Sequence, residues 1–165
     1  MKELVLCLLL VAGLCTNVQA QTPVREMSVD DLAKALTPQQ ATTRSFRNLK
    51  VAPAAVDLVI NFEFNSARIL DSSTPQLQSL AVAMKLQQLQ PLRFQVEGHT
   101  DAKGGAQYNQ LLSEKRAQGV VGFLIKQGIA SGRLIAVGKG FDELLNKDDP
   151  NAAENRRVRI STLEQ

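Results

Sequence analysis

The feature that most restricts the fold lies between positions 56 and 64. Val56, Leu58, Ile60, Phe62 and Phe64 alternate with Asp57, Val59, Asn61 and Glu63. A two-residue period puts one set of side chains on each side of an extended chain, so this segment predicts a strand with one buried face. Ser73-Thr74-Pro75-Gln76 then reads as a capping box with proline in the first helical turn. Leu77, Leu80, Ala81 and Met84 continue at helical spacing, and Pro91 ends that segment.

Alternation resumes with Leu92, Phe94, Val96 and Gly98 against Arg93, Gln95, Glu97 and His99, a second strand. Gly104-Gly105 opens a long helix, about Gln107 to Gln127, closed by Gly128. Its core face is expected to carry Ala117, Val121, Leu124 and Ile125. Leu134 to Val137 reads as a short strand and Lys139 to Glu154 as a polar loop. Val158 and Ile160 alternate with Arg157 and Arg159 in a last strand. The order β-α-β-α-β-β predicts an α/β sandwich, with helices packed on a mixed sheet and right-handed crossovers. Strand order does not follow from the periodicity.

Residues 1–20 have the layout of a secretory signal peptide. Lys2 supplies a weak positive start, Leu4 to Leu14 is apolar, and Val18-Gln19-Ala20 is a small-x-small cleavage site before Gln21. The apolar run is too short to span a bilayer, so no transmembrane segment is expected after cleavage. Cys15 follows Leu14 rather than a small residue, so lipidation is not expected. Cleavage removes Cys7 and Cys15, the only cysteines, and with them any disulfide or thiolate chemistry.

Residues 21–55 read as an N-terminal extension and linker with little core. Ser28 caps a short helix, Val29 to Leu36, with Asp30 and Asp31 in its first turn, and Thr37-Pro38 stops it. A basic stretch with Arg44, Arg47 and Lys50 follows. Residues 56–165 form the folded domain, and a chain of residues 54–165 is expected to fold alone.

Composition excludes several classes of function. A net charge of +3 is too mild to demand nucleic acid, and with no Trp and 4% aromatics, base-stacking platforms and aromatic sugar grooves are not expected. His99 is the only histidine, and a single His beside Asp101 is not a metal site, so no metal or cofactor is expected. Gly138-x-Gly140 lacks the third glycine of a dinucleotide loop, and Ser113 has no evident His partner for a hydrolytic triad. Glu97 and Asp101 are the candidate pair of lytic carboxylates, and the two are expected to face apart.

Asp101 follows the carboxyl end of the second strand, where open α/β sheets tend to place ligands. Asn109, Leu112 and Arg116 form one stripe of the long helix, on a different face from its expected core. A long Arg leaning back along its helix can approach Asp101. Together the two suit a compact zwitterion, Asp101 taking an ammonium and Arg116 gripping a carboxylate with its planar fork.

These residues sit within a wider match. Asn61-Phe62-Glu63-Phe64-Asn65, Gly98-His99-Thr100-Asp101, Tyr108-Asn109 with Leu112-Ser113, Arg116-Ala117, Gly138-Lys139-Gly140 and Asn155-Arg156-Arg157-Val158 occur in that order. The segment from Val56 to Leu163 resembles the OmpA C-terminal-like domain family, which includes peptidoglycan-associated lipoproteins and flagellar stator subunits. The resemblance implies non-enzymatic, non-covalent binding of cell-wall peptidoglycan through the diaminopimelate of its stem peptide. It implies a periplasmic protein that tethers the envelope, with an outer-membrane protein as a further partner. It assigns the clasp to Asp101 and Arg116, and the rest of the ligand site to Phe64, Asn65, Thr100, Lys103, Asn109 and Leu112, with Arg157 favoured over Arg156.

Three departures from the family pattern stand out. Asn65 replaces a frequent Asp, the Phe141–Leu145 loop has no Pro, and no eight-strand barrel precedes the domain, so anchoring by a barrel is not expected. The alternative reading is a periplasmic interaction or assembly domain with a degenerate clasp, its partner site in residues 21–55. A cell-wall hydrolase is a third class, disfavoured for want of an activated nucleophile or acid–base pair.

Overall fold

The structure, a computed structural model, describes residues 26–38 and 53–163. The expected signal peptide, the basic stretch around Arg44, Arg47 and Lys50, and the last two residues lie outside the described residues.

The elements follow the expected order behind one leading helix. They are α1 (Val29–Leu36), β1 (Ala55–Leu58), α2 (Thr74–Lys85), β2 (Arg93–Gly98), α3 (Ala106–Lys126), β3 (Leu134–Gly138) and β4 (Val158–Leu163). The sheet runs β1-β4-β2-β3. The last strand therefore inserts between the first two, antiparallel to both, while β2 and β3 pair in parallel across the α3 connection. Leu77, Leu80 and Met84 of α2 and Ala117, Val120 and Leu124 of α3 are buried against Phe94, Val96, Val158 and Ile160 of the sheet.

Three local expectations change. First, β1 is only four residues long, because its partner β4 begins at Val158, opposite Leu58. The burial alternation continues through Ile60, but the backbone then turns back on itself. Phe62 pairs with Ile69, and Leu70 N–H donates to the Asn61 carbonyl. Asn65 sits at this turn with φ +51°, a left-handed conformation that Asn tolerates better than most residues.

Second, no capping box forms at α2. Ser73 Oγ instead accepts from Asn61 N–H at 2.8 Å, and Gln76 Oε1 accepts from Met27 N–H at 2.9 Å. Both side chains are recruited by distant backbone groups that would otherwise lack partners. Third, Ile125 of α3 is exposed, and Val120 takes its expected place in the core on a +3/+4 stripe with Ala117 and Leu124.

Helix α1 forms where expected. Ser28 Oγ accepts from Asp31 N–H at 3.1 Å, and Asp30 and Asp31 lie in the first turn. The expectation of little core does not hold for this helix: Leu32, Ala33 and Leu36 are buried in the main hydrophobic cluster, with α1 packed on α2 and β1.

Gly98 and Gly138 pair across β2 and β3, directly beneath α3. A Cβ on Gly98 would stand 2.1 Å from the Ser113 carbonyl oxygen, and one on Gly138 would stand 2.7 Å from Glu114 N. Absence of a side chain at both positions is what lets the helix backbone lie on the strand ends. Gln110 Nε2 then donates to Gly138 O, and Ser113 Oγ accepts from Gly140 N–H, each at 2.9 Å. This close approach sets the height of Asn109, Leu112 and Arg116 relative to the end of β2.

Candidate functional site

Where β2 ends, Thr100 N–H donates to Gly140 O, and Ala102 N–H donates to Pro150 O. These bonds hold the segment between β2 and α3 against two neighbouring loops. Asp101 is buried there, with Oδ1 accepting from Lys103 N–H at 3.3 Å and Oδ2 from Arg156 Nη1 at 2.8 Å. Asn109, also buried, donates from Nδ2 to Lys103 O at 2.8 Å, so the start of α3 fixes the same turn.

The folded-back segment after β1 forms the opposite wall. Arg116 Nε donates to Ser66 O at 3.1 Å, and its guanidinium carbon lies 4.9 Å from the Phe62 ring centroid. Among the described residues, nothing accepts from its two Nη groups. Burial pulls the Arg116 guanidinium below its ordinary value, Tyr108 opposes this, and Arg156 adds to the lowering. Arginine starts so high that the group remains a cation at neutral pH. The Tyr108 hydroxyl donates to Asn65 Oδ1 across the mouth, and Phe64 stands fully exposed on the rim.

These walls enclose an open cleft of about 590 Å³. Eight of the nine positions named from sequence line it: Phe64, Asn65, Thr100, Asp101, Lys103, Asn109, Leu112 and Arg116. Arg157 does not. Its side chain is buried elsewhere, donating from Nε to Asp57 Oδ1 at 3.0 Å and from Nη2 to Glu143 O at 3.1 Å. Arg156 lines the cleft instead.

Strand parity explains the exchange. Val158 and Ile160 face the core, so Arg157 shares the other face of the sheet with Arg159 and Asp57. Arg156 lies before the strand, where Asn155 sets the turn. The buried Asn155 side chain accepts from Asn146 N–H and donates to the Asn146, Asp149 and Pro150 carbonyls.

Neither catalytic alternative finds a partner. Glu97 does not line the cleft; its Oε2 lies 3.5 Å from His99 Nε2, so it forms no pair with Asp101. Ser113 donates to Gln110 O and accepts from Gly140 N–H, an internal fastening. Burial, with Arg157, holds the His99 imidazole below its ordinary value, outweighing Glu97 and Glu143.

Cations dominate the cleft. Lys103, Arg116 and Arg156 stand with Asp101 and with Glu63, which pairs with Arg68 at 3.4 Å. A ligand carrying both carboxylate and ammonium groups meets complementary charge on both walls, and Tyr108, Phe64 and Leu112 supply apolar surface.

Residues 61–158 match the family described as the OmpA family. Outer membrane porin F of Pseudomonas fluorescens is 36% identical over 112 residues, covering 67% of this chain and 34% of the relative. The peptidoglycan-associated lipoprotein of Pseudomonas aeruginosa is 33% identical over 101 residues, covering 60% of this chain and 58% of the relative. The chain thus spans about a third of the porin's length. Among solved structures, the peptidoglycan-associated lipoprotein from Burkholderia pseudomallei superposes with TM-score 0.54 at 27% identity, over 65% of this chain and 89% of that one. The periplasmic domain of Helicobacter pylori MotB shares the fold, with TM-score 0.58 at 21% identity, over 67% of this chain and 75% of that one.

Proposed function

The chain belongs to the OmpA family, and from that premise we propose that its folded domain binds cell-wall peptidoglycan non-covalently, through the diaminopimelate of the stem peptide, without catalysing a reaction. The observation that carries this reading is the single cleft that contains both Asp101 and Arg116. Asp101 receives the ligand ammonium. Arg116, held at Nε by Ser66 and stacked beside Phe62, offers its two Nη groups to a carboxylate. Arg156 neutralises Asp101 in the free protein and turns to a second carboxylate when the ammonium arrives. Thr100, Lys103, Asn109, Asn65, Phe64 and Leu112 shape the walls.

The relatives' names, an outer membrane porin and a peptidoglycan-associated lipoprotein, support placing this chain in the periplasm at the inner side of the outer membrane. The signal-like leader supports the same placement. Among the described residues no helix is long and apolar enough to cross a membrane, and a tether to an outer-membrane partner fits the proposal.

Co-sedimentation with purified sacculi tests the reading. Hydrogen bonds to charged groups contribute about 1.5–3 kcal/mol when shielded, against about 0–1 kcal/mol for exposed ion pairs. Asp101→Ala and Arg116→Ala are therefore each expected to weaken binding at least about tenfold, since about 1.4 kcal/mol is a factor of ten. Free diaminopimelate is expected to displace the protein from sacculi where lysine does not. If both variants sediment as the parent chain does, the clasp is misassigned and an assembly role replaces it.

A further inference from the structure

Behind the cleft, on the open face of the sheet, Glu97, His99 and Glu143 each present a ligand atom within 4.8 Å of the other two. Glu97 and His99 stand two residues apart at the end of β2, on one side of the strand. Glu143 arrives from the loop after β3. His99 is 2% exposed, and neither ring nitrogen has a hydrogen-bond partner. A buried imidazole with both nitrogens unbonded is uncommon in folded proteins and calls for a physical explanation. Its Nε2 points toward Glu97 Oε2 at 3.5 Å. Lys139 Nζ lies 2.8 Å from Glu143 Oε1, and the Arg157 and Arg159 guanidiniums also act on His99 and Glu143, so cations already balance the two carboxylates. Arg157 reaches the same loop at Glu143 O, and Gln95 Nε2 donates to Glu97 Oε1.

We propose that Glu97, His99 and Glu143 bind a divalent first-row transition cation, of which Zn²⁺ is the natural probe, with the Lys139 ammonium displaced into solvent. One imidazole and two carboxylates are a donor set these ions accept, with water as a fourth ligand. Ligand atoms about 2.0–2.2 Å from the metal stand about 3.3 Å apart in a tetrahedron. Closing from the present spacing, up to 4.8 Å, therefore asks for a movement of up to about 1.5 Å, and the half-exposed Glu143 side chain on its loop can make it. Lys139 is part-exposed and free to swing outward. The bound ion fastens the loop after β3 onto the end of β2. Because Thr100 N–H is bonded to Gly140 O of that loop, the ion also stiffens the wall that carries Asp101. This site is independent of what the cleft binds.

In sequence His99 has only Asp101 beside it, short of the three or four ligands a metal site needs. The third group lies more than forty positions away and meets His99 only in the fold.

The test is calorimetric titration with Zn²⁺ of the untagged, chelator-stripped full chain carrying Cys7→Ser and Cys15→Ser, so that no thiolate competes. One saturable site per chain is expected. His99→Gln and Glu143→Gln should each weaken it at least tenfold. Lys139→Met, which removes the competing ammonium, should tighten it at least threefold. If circular dichroism shows His99→Gln unfolded, the surface variants Glu143→Gln and Lys139→Met decide alone. Absence of saturable binding, or affinity unchanged in Glu143→Gln, or weakened in Lys139→Met, overturns the site.

Discussion

At the scale of single residues, Arg116 holds the wall with one part of its guanidinium and, in the proposed clasp, offers the rest to the ligand. Nε holds the Ser66 carbonyl, the planar face lies by Phe62, and the Nη pair is left for a carboxylate. Lysine keeps the charge but has no planar fork, so Arg116→Lys should remain several-fold weaker than the parent chain in sacculus binding at temperatures where both are folded. Arg157 predicts the opposite pattern. Its buried guanidinium, paired with the exposed Asp57 and bonded to Glu143 O, makes it a fastening of β4 and the loop after β3. Hydrogen bonds to charged groups contribute about 1.5–3 kcal/mol, so Arg157→Ala should lower the urea midpoint. Binding should persist under conditions where the variant is still folded. Gly98 is a third such residue. A methyl group there would meet backbone at 2.1 Å, which no rotamer change relieves. Gly98→Ala should destabilise by about 3 kcal/mol or more and lift α3 from the strand ends, measured as loss of both stability and sacculus binding.

At the scale of elements, α1 and the turn after β1 most change the picture drawn from sequence. Helix α1 is short, and isolated helices of that length are marginal in water. Tertiary burial of Leu32 and Leu36 therefore supplies what its propensity lacks. Leu36→Ala is expected to cost about 2–5 kcal/mol. A 54–165 chain, which loses the helix and uncovers α2, should unfold at a clearly lower urea concentration than a 21–165 chain. Equal midpoints would show that α1 contributes nothing. The turn after β1 follows from a different cause. The apolar alternation runs to Phe64, but ladder pairing requires a partner, and β4 provides none beyond Leu58. The unpaired end folds back, and that carries Phe64 and Asn65 to the mouth of the cleft.

At the scale of the whole molecule, insertion of β4 between β1 and β2 brings the Asn155-Arg156-Arg157 turn beside the end of β2. The cleft is thus assembled from four separated segments: the turn after β1, the end of β2, the first half of α3, and Arg156 in the turn before β4. The parallel β2-α3-β3 unit is what projects the α3 stripe over that end. The full chain also predicts its own processing. Val18-Gln19-Ala20 and the apolar run before it are expected to direct cleavage ahead of Gln21. Intact-mass measurement of the protein recovered from the cell envelope should give the mass of residues 21–165 with no lipid; a retained Met1 or a diacylglyceryl adduct on Cys15 would refute this.

Periodicity made the elements legible, because burial of one face imposes a local rule of two or about 3.6 residues that can be read without knowing the partner. The order of elements, the stripe Asn109-Leu112-Arg116 and the position of Asp101 after a strand came from that rule. Strand order did not, nor the burial of α1, the recruitment of Ser73 and Gln76 by distant backbone, or the meeting of Glu143 with His99. Each depends on contacts between residues a dozen or more positions apart, whose energies leave no mark on local spacing. The choice of Arg156 over Arg157 lies between the two. The alternation of Val158 and Ile160 already placed Arg157 on the far face of its strand, but only the packed sheet shows that the cleft opens on the other side, where the turn before β4 delivers Arg156 to Asp101.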